Sequence, residues 1–386
     1  MNTITININR IEHLLKLYRL SKEDILMHIN QGRKIPVSDK DVFKSEIKTS
    51  LLKKIDSIFN KGLNYYLDPN QPKALKEESI FFRKDQFSAD LSLGSKQRVT
   101  QFEEEKIELS ALAKLSNLNL ERILENYSIQ DNPREVAFLL RGKLYPGNGL
   151  GIKEFLKVFI SKLADHNIGV FEFVDTHNKR EKANINGFFL SPNAIVLKRM
   201  QKSLKREVFT LAHELGHYLL NEEEIDEIDE YFIENKSINK IEKWCNEFAY
   251  YFLVGEYDKF ISNLDKAVSQ NNFQDDAVTN LTKEIPLSKI AIYTRLVLIN
   301  KISQKDYNLV KDNIYTAFKE RKEALQSKKQ LDKENGIVFQ ARNPVPIISP
   351  LHKKTLQSAF YEGVIDEREF CRRLNIKAEK IDSYLQ

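Results

Sequence analysis

At 386 residues the chain is long enough for two or three domains, each able to bury a core without disulfide staples. Hydrophobic residues at 41% and charged residues at 30% give a globular composition, and 13 Gly with 10 Pro exclude collagenous or low-complexity architectures. The net charge of +5, from 60 basic and 55 acidic residues, makes no average case for nucleic acid, and two cysteines cannot build a disulfide framework, which suits a reducing cytoplasm.

Met1 to Arg10 lacks the apolar core of a signal peptide, and no window approaches 18 uninterrupted apolar residues, so a soluble cytoplasmic protein is expected. No internal repeat is visible. In chain order, Ile11, Leu14, Leu15 and Tyr18 recur at helical spacing, and Ser21 with Glu23 and Asp24 caps a second helix. Asp39 to Thr49 follows, with Lys40, Lys44 and Lys48 offset by Asp39, Asp41 and Glu46. A further helix is predicted from about Ser50 to Leu63, with Leu51, Leu52, Ile55, Ile58 and Phe59 on one face. Asp68 to Pro72 breaks the pattern, and a domain boundary is placed just after it. Residues 1–75 hold 13 Lys/Arg against 8 Asp/Glu, so this short module carries an excess equal to that of the whole chain.

A run from Ile80 to Lys84 follows, then helical sequence from Lys96 to about Tyr127 and a Gly/Pro-rich turn from Tyr145 to Gly151. Gly147, Gly149 and Gly151 lack the spacing of a phosphate cradle. Ile152 to Asp165 reads as an amphipathic helix. The apolar pattern then shortens into strands at Ile168 to Val174, Ile185 to Leu190 and Ala194 to Leu197, the last two pairing as a hairpin across Ser191-Pro192-Asn193. Helical sequence resumes at Ser203 and runs through Val254, interrupted by the acidic segment Glu222 to Glu230, which is read as a solvated loop. Beyond Pro286 the chain reads as helical, with a break at Asn343 to Pro346.

The chemistry is concentrated in Leu211-Ala212-His213-Glu214-Leu215-Gly216-His217. Two of the seven histidines stand four residues apart, so on a helix both imidazoles reach one ion, while Glu214, about 100° round the wheel, reaches a water beside it. This composition produces such an HExxH match by chance about 0.02 times per chain. A catalytic zinc site takes three protein ligands. The helical segment from Ile241 to Tyr250 offers Glu242 and Glu247 as the third, and Asn246 to hold a ligand histidine by a hydrogen bond. Spacing alone leaves the two glutamates in competition. His166 and His177, near the ends of the first strand, are read as ordinary residues.

Val208 to His217, followed by Glu242, Asn246, Phe248 and Ala249, resembles the ImmA/IrrE family of metallopeptidases. The resemblance implies an α+β, zincin-like fold with a small sheet ahead of the active-site helix. It assigns His213, His217 and Glu242 as Zn2+ ligands and Glu214 as the catalytic base. Cys245 replaces the family's usual alanine, and Gly255 stands where the family often has a proline, so the exit of the second helix departs from the pattern. The likeness is strongest over residues 150–255 and extends to Phe81-Phe82-Arg83 and to Leu287–Tyr307. Members often carry an Xre-type helix-turn-helix, so residues 1–75 are expected to be a divergent form of it, with Leu17 to Ile29 and Leu51 to Phe59 as its remnants and Asp39 to Thr49 as the candidate recognition helix, docking either protein or DNA. Residues 76–270 are then the peptidase and 271–386 a helical extension. The expected function is a regulatory zinc endopeptidase that cuts a repressor, an antitoxin or a similar protein partner. The rival is a DNA-binding regulator or toxin–antitoxin or defence component whose peptidase fold is structural or sensory. Tyr250 and Tyr251 are candidate oxyanion donors, with a core or interface aromatic the better reading of each, and the hairpin could offer an edge strand to an extended substrate.

Overall fold

The computed structural model describes residues 3–59, 61–72, 91–175, 182–201, 203–225, 239–335 and 345–385. It is an α+β structure in which helix far outweighs strand. The chain divides into two compact units, Met1–Glu105 with Glu181–Asn184, and Lys106–Arg180 with Ile185–Gln386.

In the first unit, β1 (Thr3–Thr5) pairs antiparallel with β2 (Glu46–Lys48). The helices are α1 (Ile8–Leu17), α2 (Lys22–Asn30), α3 (Asp39–Val42), α4 (Thr49–Phe59) and α5 (Leu63–Leu67). Ser21 Oγ accepts from the Asp24 N–H at 3.1 Å while Asp24 accepts from the Ser21 N–H at 2.8 Å, a reciprocal cap that starts α2 where the sequence places it. Leu51, Leu52, Ile55, Ile58 and Phe59 are all buried on α4, as their spacing predicts. The expected recognition helix over Asp39 to Thr49 does not form. After the four residues of α3 the chain turns extended, because Ile47 is buried between exposed Glu46 and Lys48, a period of two that suits pairing with β1. Lys40, Lys44 and Lys48 therefore share no helix face. The break at Asp68 to Pro72 is tied back to α1, where Asn7 Nδ2 donates to the carbonyls of Asp68, Pro69 and Asn70 at 3.1–3.2 Å. The Ile80 to Lys84 run lies outside the described residues.

The division between the units falls within α6 (Leu93–Leu115), which stops well short of Tyr127. Next comes α7 (Pro133–Leu144), a helix no periodicity argument had covered, started by Asn132 and by Pro133 at the first helical position. Then follow α8 (Ile152–Ala164), β3 (Gly169–Val174), β4 (Gly187–Leu190), β5 (Ala194–Arg199), α9 (Leu204–Leu220) and α10 (Lys240–Val254). The sheet order is β3-β5-β4: β3 lies parallel to β5, and β4 folds back antiparallel on β5 with Phe188 opposite Val196, forming the predicted hairpin. Helix α9 packs on β4 and β5 on one side and on α10 on the other, and α10 leans in turn on α7. Trp244, Phe248 and Phe252, one turn apart on α10, stack in a row that ends on Phe159 of α8. Fully burying each contributes roughly 1.5–3 kcal/mol, and that anchors the face of α10 opposite Glu242.

The departure at Gly255 resolves into a cap. Gly255 takes a left-handed φ of 55°, and the Arg141 guanidinium from α7 donates to the Phe252 carbonyl; a Cβ at Gly255 would stand 2.5 Å from that guanidinium. The remaining helices are α11 (Tyr257–Asn263), α12 (Asp275–Glu284), α13 (Lys289–Leu298), α14 (Gln304–Glu334), α15 (Pro350–Tyr361), α16 (Glu367–Leu374) and α17 (Asp382–Leu385). The helical reading beyond Pro286 agrees with this, whereas α11 and α12 carry no expectation. No described helix is long and apolar enough to cross a membrane.

Candidate metal centre

Helix α9 begins at Ser203, whose hydroxyl accepts from the Arg206 N–H at 3.2 Å, and ends at Asn221 in the left-handed region. His213 and His217 are one turn apart on the face turned toward α10. The two helices approach closely because Gly216 has no side chain: a Cβ there would lie 3.1 Å from Cys245 Cα, Cβ and Sγ. That approach brings Glu242, on the first turn of α10, against both imidazoles. Its Oε2 is 3.2 Å from His213 Nε2 and its Oε1 is 3.0 Å from His217 Nε2, while the two Nε2 atoms are 3.1 Å apart.

The other ring nitrogens settle what those atoms are. His213 Nδ1 is 3.0 Å from Asn246 Oδ1, and His217 Nδ1 is 3.2 Å from the Glu222 carbonyl. Both partners are acceptors, so in the neutral rings the proton sits on Nδ1 and the Nε2 lone pairs are left facing each other. Two imidazole lone pairs and a carboxylate thus converge, with His213, His217 and Glu242 all 5% exposed or less. Such a set is repulsive without a cation between its members. Two imidazole nitrogens and a carboxylate are a donor set zinc takes, and here each imidazole faces a different oxygen of Glu242 at 3.0–3.2 Å, close enough for one ion to reach all three residues. The residues fit a metal. Among the described residues this is the one cluster of three or more His, Cys, Asp or Glu side chains with converging ligand atoms.

In the absence of an ion, a proton on His217 relieves part of that repulsion. For Glu242, burial pushes upward but His217 and His213 outweigh it and hold the carboxyl below the usual carboxylate range. At His217 burial pulls downward and is overcome by Cys245 and Glu242, which raise it well above 6.5; His213 is lowered, chiefly by burial. Burial pushes the Cys245 thiol up to about 11.

Glu214 lies on α9 between the helix and the start of β4, buried at 3% exposure. Glu247 is not a member of the cluster, so the contest between the two glutamates ends in the geometry with Glu242. Tyr250 and Tyr251 turn elsewhere: Tyr250 donates to Asp258 at 3.0 Å, and Tyr251 accepts from Arg295 at 2.6 Å. His166 Nδ1 meets the Lys162 carbonyl at 2.9 Å, while His177 and the acidic run beyond residue 225 lie outside the described residues. The part of that run that is described is not a free loop, since Glu223 accepts from the Ser191 N–H at 2.7 Å in the hairpin turn and Glu224 is buried.

Sequence reasoning passed over the Glu222 carbonyl, which holds His217. Its signal was Asn221, a residue that tolerates the left-handed turn needed to bring the next carbonyl back over the last turn of α9. It also passed over Gly187 and Gly216, glycines within predicted elements.

Residues 156–291 match the family model of the IrrE N-terminal-like domain, Peptidase M78. The chain carries a domain of the ImmA/IrrE peptidase family. The matched stretch of this IrrE N-terminal-like domain spans most of α8, the three-stranded sheet, both helices of the candidate centre and the first residues of α13. No match was found among curated proteins or among solved structures.

Proposed function

We propose that the protein is a zinc-dependent endopeptidase that acts on a protein partner, such as a transcriptional repressor or an antitoxin. The observation that carries this reading is the convergence of His213 Nε2, His217 Nε2 and Glu242 with Glu214 beside them, inside a peptidase-family domain. His213, His217 and Glu242 hold the ion, and Asn246 and the Glu222 carbonyl fix the two ring orientations. The chemistry that zinc supplies there is Lewis acidity toward the scissile carbonyl and the attacking water. Glu214 takes the proton of that water and passes it to the leaving amine. Low exposure around Glu214 keeps competing bulk water away from the transfer. Strand β4 is the sheet edge nearest α9, so an extended segment of the partner laid along it would bring a peptide bond to Glu214.

The test is co-expression of the chain with the products of neighbouring genes. Glu214→Gln should keep about one zinc per chain and lose cleavage of the partner. A cell in which Glu214→Gln behaves as wild type would sink the protease reading. Residues 1–75 support a second reading, contact with DNA, through their excess of 13 basic over 8 acidic residues. Against it, no helix is formed over Asp39 to Thr49 to enter a major groove.

A further inference from the structure

Strand β4 starts at Gly187, where it crosses α9 with no side chain in between. A Cβ built on Gly187 would stand 2.8 Å from Thr210 Cγ2, 3.0 Å from the Val196 carbonyl oxygen and 3.1 Å from Glu214 Cγ. Two of the three neighbours, Val196 and Thr210, are held. Val196 is paired with Phe188 in the ladder, so its carbonyl cannot retreat without breaking the sheet. The hairpin and α9 are clamped beside this point by Gln201: its Nε2 donates to the Lys198 and Asn186 carbonyls at 2.9 and 3.3 Å, and its Oε1 accepts from the Thr210 hydroxyl at 3.2 Å. The Lys198 N–H closes the same corner by donating to the Asn186 carbonyl at 2.8 Å.

A glycine inside a strand costs roughly 0.5–1 kcal/mol against alanine. Gly187 does not have the left-handed backbone that would require glycine, so space is the reason for it. The one contact that bears on chemistry is Glu214 Cγ. We infer that Gly187 is a positioning residue for Glu214, the missing side chain leaving the slot between β4 and α9 through which Glu214 extends toward His213, His217 and Glu242. A methyl group there displaces the glutamate and leaves the three ligands, which lie on the α10 side of α9, where they are.

The inference rests on the peptidase reading for what Glu214 does, and its test needs no substrate. Full-length protein loaded with Co2+ reports binding of acetohydroxamate through its visible absorption, and a carboxylate placed to take the hydroxyl proton of a chelating hydroxamic acid strengthens that binding over loss of the proton to solvent. Gly187→Ala should take up one Co2+ with affinity within about threefold of wild type, and bind acetohydroxamate at least about tenfold more weakly, approaching Glu214→Gln. The double variant Gly187→Ala/Thr210→Ser removes the tightest of the three contacts while keeping the hydroxyl on Gln201. It secures a folded protein for the same measurement, and the weakened acetohydroxamate binding should persist in it. If the Gly187→Ala variants bind acetohydroxamate like wild type while Glu214→Gln is weakened, or if they lose Co2+ as well, the positioning role is overturned and the peptidase reading stands. If Glu214→Gln itself binds acetohydroxamate like wild type, both are overturned.

Discussion

The second unit contains two buried polar clusters of similar size and opposite character. At the base of the sheet, Arg199 sits between Glu172, at 2.8 Å, and Glu207, at 2.6 Å, and the Ile347 N–H adds a hydrogen bond to Glu172 at 2.6 Å. Between α9 and α10, the Nε2 atoms of His213 and His217 and the carboxylate of Glu242 converge, and the one charge they can set against that carboxylate is a proton on an imidazole. The first cluster carries a permanent cation and the second holds a replaceable one. Burial of polar side chains is therefore no mark of function by itself; what separates a structural knot from a site is whether the donors and acceptors inside it already match.

The largest effect should come from breaking the matched cluster. Arg199→Met leaves Glu172 and Glu207 buried without their counter-charge, and losing one partner of a buried ion pair costs about 3–5 kcal/mol. Urea unfolding should show that loss whether or not metal is present. The unmatched cluster should respond in the opposite way, gaining from what is added. Zinc at 100 times its dissociation constant should stabilise the protein by about 2.7 kcal/mol, and Glu242→Gln should abolish the gain. In metal-free protein Glu242→Gln should cost less than Arg199→Met, because His217, unlike an arginine, sheds its extra proton once the carboxylate beside it is gone. A metal-free cost as large as that of Arg199→Met would remove the distinction between the clusters.

Much of the second cluster was legible in the sequence because its key relations are local. The i, i+4 histidines and the wheel position of Glu214 need only a helix, and the dense apolar runs of β3 to β5 need only a sheet to face. What could not be read are relations between segments distant in the chain. Ile47 looked helical in a lysine-containing window because its strand partner, Ile4, lies 43 residues earlier. Glu242 and Glu247 could not be ranked by spacing, since the choice depends on where Gly216 lets α10 cross α9. Helix α7 was missed for another reason. Val136, Ala137, Leu140 and Leu144 do form a buried face, and Asn132-Pro133 marks its start, but Phe138 and Leu139 are exposed on the other side and blur the amphipathic pattern.

A half-buried histidine near an arginine sharpens the comparison in a smaller way. His352 of α15 packs its ring against Phe171 of β3, with centroids 5.8 Å apart, and burial, helped by Arg373, lowers its pKa to about 4. His217 is more deeply buried and moves the opposite way, because Cys245 and Glu242 beside it outweigh burial, so burial sets no common direction. For His352 the folded-state value lies below the unfolded value of about 6.5, so the unfolded chain binds the proton more readily. Its contribution is therefore complete above pH 6.5 and is lost as the pH falls toward 4, with about 2 kcal/mol of it gone by pH 5. His352→Leu should flatten that part of the stability profile, measured by urea unfolding of metal-free protein at pH 7 and pH 5. His217 has the reverse sign, holding its proton in the folded state, so its contribution is present below pH 6.5 and fades as the pH rises through its elevated value. If acid weakens wild type and His352→Leu equally, the loss belongs to other groups, and the two histidines do not form the opposed pair described here.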